Sequence, residues 1–481
     1  MEQFFRPQDL GAIGPELELA LFGMILLIAD LLVESKRVLG YIALAGIGWS
    51  GFFLYRLHGA DVPAYGGLLT VDPYAWFFKA IFLVAAALAV AISLRYLDIE
   101  REHHGEYYAL ILFATMGMMF MVGAMDLVTL YIGLETMAIA TYVLVGFLRN
   151  SPRSNEASLK YFLLGAFSSG ILLYGFSLLY GLAGSTRFNA IQDALAQRMA
   201  QHPNDPLALM ALITVLAGMF FKIAAVPFHQ WTPDAYEGAP TSITAYMSVA
   251  VKAASFGMMV RLFMISLYPL RPQWVVIMSV VSALTMTVGN IAAITQSSVK
   301  RLLAYSSISH AGYILLGLIA GNETGMIAIP MYLLIYTFTN LGVWAVVVAL
   351  RRKDVIGEHI DEMSGLFFKH PLSAILMLIF LLSLAGIPPT AGFIGKYFLF
   401  AAIIETHHNV LAVIAVLNAA ISMYFYLRVV VAMFMRDATE KTGLALSPGL
   451  ITTMAIALIF TMWIGLYPDP FITMARQAVG L

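Results

Sequence analysis

Long apolar stretches follow one another along the whole chain. Fourteen of them reach the length of about 20 helical residues that crosses the hydrocarbon of a bilayer, and they occupy residues 13–33, 38–57, 74–94, 107–124, 126–147, 157–183, 206–226, 240–266, 274–295, 300–320, 326–349, 371–392, 409–433 and 450–471. These stretches are too long and too uniformly apolar for the alternating pattern of a membrane β-barrel. The sequence therefore predicts an all-α polytopic membrane protein with about 14 transmembrane helices, which we number as spans one to fourteen.

The composition excludes a water-soluble protein. Of the 481 residues, 60% are apolar and 11% are charged, whereas soluble domains are about 45–50% apolar and about 25% charged. The chain has no cysteine, so disulfides and cysteine-ligated iron–sulfur clusters cannot form within it. Its formal charge of -1 gives no signal for nucleic acid. Because the beginning of the chain lacks the basic region of a secretory signal, we expect the first apolar stretch to remain as a span.

The basic residues of the connections indicate how the chain is oriented. Lysine and arginine are retained on the cytoplasmic side of a membrane. The connections that follow odd-numbered spans hold 14 of them, and the other side, with both termini, holds 6. We therefore expect both termini to face away from the cytoplasm. Two connecting segments, 188–200 and 354–368, mix apolar and charged residues at helical spacing and are expected to lie along the membrane surface.

Weak internal similarity indicates two related units. Span seven contains Ala225-Val226-Pro227 and span twelve contains Gly386-Ile387-Pro388, each a small residue, a β-branched residue and a proline. Two aromatic residues six positions apart, followed by a polar residue, recur in spans six and eleven as Tyr161, Phe167 and Ser169 and as Tyr332, Phe338 and Asn340. Because each unit contains five spans, the second must be inverted relative to the first.

This repeat divides the chain into four segments. Spans one to three form residues 1–106, the first unit with spans four to eight forms 107–270, the inverted unit with spans nine to thirteen forms 271–435, and span fourteen lies in 436–481.

The most informative residues are the ionisable ones far from the ends of the spans, since a charge at the bilayer centre costs ~2.5–3.5 kcal/mol. They are Glu135 in span five, Lys222 in span seven, Lys252 in span eight, His310 in span ten and Lys396 in span twelve, and Lys160 lies near the start of span six. The opposite charges of Glu135 and Lys222 favour a pair. Lysine suits a proton relay, because its affinity for a proton responds to burial and to neighbouring charges.

Each candidate also has a purely structural interpretation. Lys160 and Glu156 can form an ordinary pair one helical turn apart. His310, which lies among serines, can be a hydrogen-bonded packing residue. The charges in spans five, seven and eight can form buried ion pairs that hold helices together.

Two prolines predict helix breaks beside two of the lysines. Pro227 removes the donor for the carbonyl of Ile223, and Pro388 removes the donor for the carbonyl of Leu384. The breaks fall next to Lys222 and Lys396. Irregular backbone at membrane depth is tolerated where it lines a wet interior, and a proline kink without function is the alternative.

Three segments carry a resemblance to a known family. FKIAAVPFHQWTPDAYEGAP (221–240), KRLLAYSSISHAGY (300–313) and SLAGIPPTAGFIGKYF (383–398) resemble signature segments of the antiporter-like membrane subunits of respiratory complex I, the bacterial NADH:quinone oxidoreductase. The resemblance extends over all fourteen spans and implies two inverted five-helix units with broken helices seven and twelve. The M type of the family has a glutamate where this chain has Lys396. The L type has a long lateral helix after span fourteen, for which this chain leaves no room.

The resemblance also implies a function. It implies a proton-translocating subunit without a cofactor of its own, with NADH, FMN, iron–sulfur clusters and quinone in partner subunits. Protons would enter from the cytoplasm and leave on the other side, with Glu135 and Lys222 as the switch, along a path that falls on Glu135, Lys160, Lys222, Lys252, His310 and Lys396.

The expected surroundings follow from the same resemblance. They are the antiporter-like subunit M, the small subunits K and J and the lipid bilayer, with no nucleic acid, in the inner membrane of a bacterial cell with both termini periplasmic. Two alternatives are a subunit of a secondary cation/proton antiporter with the same fold, and a structural membrane subunit that moves no protons.

The predicted orientation can be tested with reporters. Alkaline phosphatase fused after Leu481 should be active, whereas the same enzyme inserted at Arg352 should be inactive, because three spans separate the two positions and the basic residues retain Arg352 in the cytoplasm. A green fluorescent protein at each position should give the opposite pattern. If the reporters placed both positions on the same side of the membrane, the number of spans between them would be wrong by an odd number.

Overall fold

Twenty-one α-helices form most of the chain that the structure, a computed structural model, describes at residues 7–351, 358–438 and 443–480. They are α1 (Pro7–Ala12), α2 (Gly14–Leu32), α3 (Arg37–Arg56), α4 (Pro73–Glu100), α5 (Gly105–Gly123), α6 (Leu127–Val145), α7 (Pro152–Ala183), α8 (Phe188–Gln201), α9 (Pro206–Lys222), α10 (Trp231–Gly238), α11 (Thr241–Tyr246), α12 (Lys252–Met264), α13 (Arg271–Ile294), α14 (Val299–Ala320), α15 (Glu323–Leu350), α16 (Leu366–Lys369), α17 (Pro371–Ala385), α18 (Ala391–Glu405), α19 (Asn409–Met435), α20 (Pro448–Leu466) and α21 (Asp469–Ala478). Two strands, β1 (Val62–Ala64) and β2 (Leu69–Val71), pair antiparallel between α3 and α4.

Each predicted span corresponds to a helix or to an interrupted helix. Within the described ranges, 11 helical segments are long and apolar enough to cross a membrane. The remaining three spans are α2, which carries several acidic residues, and the interrupted pairs α9–α10 and α17–α18. The expected all-α polytopic membrane fold, with breaks in spans seven and twelve, is confirmed.

Side-chain caps and prolines fix where many of these helices begin. Asp72 accepts a hydrogen bond from the backbone of Ala75 at 2.7 Å before α4, and Asp205 accepts one from the backbone of Ala208 at 2.8 Å before α9. Both helices start with a proline, which lacks the N–H that a first turn leaves unpaired. A hydrogen bond from Arg198 is the main cause that lowers the pKa of the Asp205 carboxyl from its ordinary value.

The centre of the bundle consists of α11, α12, α14 and α15, whose residues are almost entirely buried. Such helices are hydrophobic all round because protein surrounds them on every side. The outer helices instead present large apolar side chains outward, among them Leu31, Phe167, Leu372 and Val410. An outward apolar surface of this kind suits contact with lipid.

The connections agree only in part with the sequence-based expectations. Segment 188–200 forms α8, as predicted. In segment 354–368, residues 354–357 lie outside the described residues, and the rest forms a 3₁₀ turn at Ile360–Met363 and the one-turn α16 rather than a continuous helix. The β1–β2 hairpin was not predicted, because two strands of three residues are too short to show an alternating pattern.

The division of the chain into four segments stays a prediction. Helix α4, from the first segment, packs against α11, α15 and α20. Each of these helices belongs to a different one of the other three segments, so α4 joins all four parts of the predicted architecture.

Close packing at the second break predicts that a small substitution will destabilise the fold. A Cβ atom at Gly392 would lie 1.7 Å from the backbone oxygen of Ser383. Gly392→Ala should therefore force α17 and α18 apart and cost about 1–3 kcal/mol, which would lower the melting temperature of the chain in detergent as followed by circular dichroism. Gly170→Ala is the control, since a Cβ at Gly170 in α7 meets open space. Equal melting temperatures for the two variants would contradict the described packing.

Candidate functional site

The first break places Lys222 at the carboxyl end of a helix. Helix α9 ends at Lys222, before Pro227, and α10 begins at Trp231. Between them Ala224 has a φ of 60°, a left-handed conformation that costs a non-glycine residue ~1–2 kcal/mol. Trp231 Nε1 donates to the carbonyl of Phe221 at 3.0 Å, and the backbone N–H of Ala224 donates to the same carbonyl at 3.0 Å. A cation at this end is also favoured by the helix dipole.

Lys222 is buried, and its observed partner is a hydroxyl. Its Nζ donates to Ser169 Oγ of α7 at 3.2 Å. Glu135 of α6 is half-buried, and its Oε1 has no hydrogen-bond partner within the described structure. No ion pair within 4.0 Å joins Glu135 and Lys222 among the described residues. The direct pair favoured by the sequence is therefore not formed in the described structure.

The second break supplies the partner of Lys396. Helix α17 ends at Ala385, the next residue Gly386 has a φ of 86°, and α18 starts beyond Pro388. Lys396 Nζ donates to the carbonyl of Ala385 at 2.7 Å and lies 5.0 Å from the ring centre of Tyr313. The ammonium is thus held by the negative end of a helix dipole and an aromatic face.

Lys252 lies at the start of α12 and reaches α14. Its Nζ donates to the backbone carbonyl of Ser307 and lies 5.9 Å from the ring centre of Tyr336 in α15. The residue is buried. Ser307 is three residues before His310 on the same helix, so Lys252 contacts the turn that carries the histidine.

His310 lies between two tyrosine hydroxyls. Its Nδ1 is 2.6 Å from the hydroxyl of Tyr332, and its Nε2 is 3.1 Å from the hydroxyl of Tyr426. A hydroxyl can donate or accept, so either tautomer of His310 finds a partner on both sides. This histidine is hydrogen-bonded, as the structural interpretation requires, and it is also placed between the other candidates.

A small cavity adjoins His310 on the side of the second break. Its volume is about 10 Å³, and its polar lining comes from His310, Tyr332, Tyr336, Thr339 and Ser383. This volume is close to the minimum that holds a single water molecule.

The structure therefore brings three of the six predicted site residues together. Lys252 and His310 both lie against Tyr336, with a distance of 5.0 Å between the ring centres of His310 and Tyr336. His310 and Lys396 both lie against Tyr313, with 6.0 Å between the ring centres of His310 and Tyr313. This series of contacts links α12, α14 and α18 through the centre of the bundle.

Lys160 lies elsewhere, in a half-exposed cluster of charges at one end of the bundle. Its Nζ is 2.8 Å from Glu156 and 3.0 Å from Asp234. Arg301 joins Asp234 to Glu237 in the same cluster, at 3.2 and 2.9 Å. Lys160 and Glu156 thus form the ion pair one helical turn apart that the purely structural interpretation of Lys160 describes.

The tyrosines around His310 were missed at the level of sequence. The candidates were chosen as ionisable groups within spans, a criterion that passes over tyrosine. A signal was nevertheless present, because Tyr332, Tyr336, Asn340 and Trp344 recur every fourth residue and so lie on one face of α15.

Comparison with known proteins identifies the family. The model of the transmembrane family "NADH:quinone oxidoreductase/Mrp antiporter" matches residues 124–422. NADH-quinone oxidoreductase subunit N 1 of Koribacter versatilis is 52% identical over 97% of this chain and 94% of its own length. NADH-quinone oxidoreductase subunit N 2 of Solibacter usitatus is 50% identical over 99% of this chain and 98% of its own length. This chain belongs to the family of NADH-quinone oxidoreductase subunit N.

Solved structures agree with membership of the subunit N family. A chain of respiratory complex I from Thermus thermophilus superposes with a TM-score of 0.82 at 31% identity, covering 96% of this chain and 99% of its own. A chain of the Mrp complex from Dietzia superposes with a TM-score of 0.83 at 21% identity, covering 98% of this chain and 97% of its own length. At this identity the likeness shows the fold alone. The protein is thus a proton-translocating multi-pass membrane subunit of an enzyme complex.

The contacts of His310 predict that a single hydroxyl matters for proton movement. Tyr332→Phe keeps the ring but removes the oxygen beside Nδ1, so NADH-driven acidification of inverted vesicles should fall by about fivefold, the effect of one buried hydrogen bond. NADH:ferricyanide activity of the same vesicles serves to normalise for assembled complex.

Tyr246→Phe is the matched control. It also removes a buried hydroxyl, one that bonds Thr115 Oγ1 at 2.7 Å, at a position that does not contact His310 in the described structure. Equal acidification rates in the two variants would show that the hydroxyl of Tyr332 has no part in proton movement.

Proposed function

We propose that this chain carries protons across the membrane in a complex I assembly, driven by quinone reduction in neighbouring subunits. The relay would run through Lys222, Lys252, His310 and Lys396. The observation that carries this proposal is the buried series of contacts from Lys252 past His310 to Lys396.

The relay lysines have the chemistry that a proton carrier needs. Within the described residues, no carboxylate lies within ion-pair distance of Lys222, Lys252 or Lys396. A buried ammonium without a carboxylate is poorly compensated, so the neutral amine is accessible and the side chain can accept and release a proton. A lysine that only holds helices together would instead be expected to keep a carboxylate partner.

The charged cluster supports entry from the cytoplasm. Lys160, Glu156 and Asp234 line a recess at the end of the bundle that the basic connections assign to the cytoplasm. Lys160 would act there as an entry group. Glu135, with a buried oxygen that has no hydrogen-bond partner in the described chain, would act as the switch by changing its distance from Lys222.

A groove supports exit on the opposite side. It has a volume of about 570 Å³, lies between α18 and α19, and extends from Lys396 to Glu405. Glu405 is exposed at the end of α18, on the side that the predicted topology assigns to the periplasm. A proton leaving Lys396 would follow this groove.

The chain would lie in the inner membrane of a bacterial cell, with both termini periplasmic. Its neighbours would be the antiporter-like subunit M and the small subunits K and J. NADH, FMN, iron–sulfur clusters and quinone would bind in partner subunits, and the chain itself would bind no cofactor.

Substitution of Lys222 tests whether this residue transfers a proton or only supplies a charge. Arginine keeps the charge but, with a pKa above about 12, does not release its proton. Proton transfer through Lys222 therefore predicts that Lys222→Arg and Lys222→Ala both lose most NADH-driven pumping, measured as protons moved per NADH oxidised. Wild-type stoichiometry in an assembled Lys222→Arg complex would overturn the relay role.

Lys79 provides the matched control for this experiment. It is equally buried, but it lies 2.6 Å from Glu16 as a member of an ion pair. Because only its charge is needed there, Lys79→Arg should keep most pumping. Loss of pumping in the Lys79 variant as well would show that arginine is rejected at buried sites in general.

A further inference from the structure

The turn before Lys252 is wound as a π-helix. It covers Met247–Val251 between α11 and α12. A π turn closes its hydrogen bonds one residue later than an α turn, and one residue corresponds to about 100° of rotation around a helix. The direction in which Lys252 leaves α12 therefore depends on this turn.

Two side chains of α15 hold the π turn through one hydroxyl. Ser248 Oγ accepts hydrogen bonds from Asn340 Nδ2 at 2.7 Å and from Trp344 Nε1 at 3.1 Å. It donates its own hydrogen to the carbonyl of Ala245 at 2.9 Å. All three hydrogen-bonding positions of the hydroxyl are thus occupied, and Ser248, Asn340 and Trp344 are buried.

The same face of α15 also contacts the relay directly. Tyr332 bonds His310, and Tyr336 lies against Lys252. Asn340 and Trp344 continue this face by one and two further turns. One helix surface therefore contacts both the relay groups and the turn that orients Lys252.

The internal repeat adds an independent reason to single out Asn340. It occupies the position that corresponds to Ser169 of the first unit. Ser169 contacts Lys222 directly, whereas Asn340 contacts the turn that precedes Lys252. Equivalent positions in the two units thus contact, directly or through the preceding turn, two different lysines of the first unit.

We propose that Asn340 and Trp344 are positioning residues for Lys252. Through Ser248 they hold the π turn that directs the Lys252 ammonium towards Ser307 and Tyr336. This inference rests on the proposed relay function. It assigns a positioning role to residues that exchange no proton themselves.

Three substitutions test the inference in the whole complex. Ser248→Ala removes the acceptor, Asn340→Ala removes one donor, and Trp344→Phe removes the other donor while keeping a ring for packing. Each should lower protons pumped per NADH by about fivefold, the effect of one buried hydrogen bond, with unchanged NADH:ferricyanide activity. Ser248→Thr retains a hydroxyl and should restore most pumping, a rescue that general destabilisation would not show.

Two controls separate this inference from the relay proposal. Thr337→Val removes a buried hydroxyl of α15 that bonds only the carbonyl of Leu333 at 2.7 Å, and it should pump normally. Lys252→Ala should abolish pumping. If Lys252→Ala pumps normally, the relay proposal fails. If Lys252→Ala fails while the Ser248, Asn340 and Trp344 substitutions all pump normally, the positioning role alone is overturned.

Discussion

The interior of a bilayer offers no water to backbone groups, so a helix that breaks there must supply its own hydrogen-bond partners. In this chain side chains near both breaks supply such partners. The indole of Trp231 adds a second hydrogen bond to the carbonyl of Phe221 at the end of α9, and the ammonium of Lys396 satisfies the carbonyl of Ala385 at the end of α17. The rest of the arrangement follows, because the breaks place two buried lysines at the carboxyl ends of helices within the bundle.

The buried polar groups near the centre are compensated mainly by hydroxyls, carbonyls and aromatic faces. This distinguishes two kinds of buried lysine in one chain. Lys79 has a carboxylate partner, Glu16, and an ion pair of this kind fixes its charge. Lys252 has a backbone carbonyl and an aromatic ring. The second environment tolerates both the charged and the neutral side chain, which is what a group that exchanges protons requires.

Local signals in the sequence predict much of the fold. Apolar length indicates the spans, and Pro227 and Pro388 indicate both breaks, because hydrophobicity and a missing N–H act within a single helix. The candidate site was predicted less completely. The separation of Glu135 from Lys222 and the position of Lys160 among surface charges depend on how helices pack against one another, which hydropathy does not encode. Of the tyrosines around His310, Tyr332 and Tyr336 could have been noticed from their four-residue spacing in span eleven.

The group that binds Lys396, the backbone carbonyl of Ala385, determines where the proton of Lys396 can go. A carboxylate can take the proton from a neighbouring lysine, which leaves two neutral groups and hides the proton within the pair. The amide oxygen of Ala385 is far too weak a base to do this. When Lys396 gives up its proton, the proton must leave the immediate site altogether. The neutral amine keeps N–H groups that can donate to the same carbonyl, so Lys396 can stay at the end of α17 in both protonation states, and each release carries one elementary charge away from this helix end.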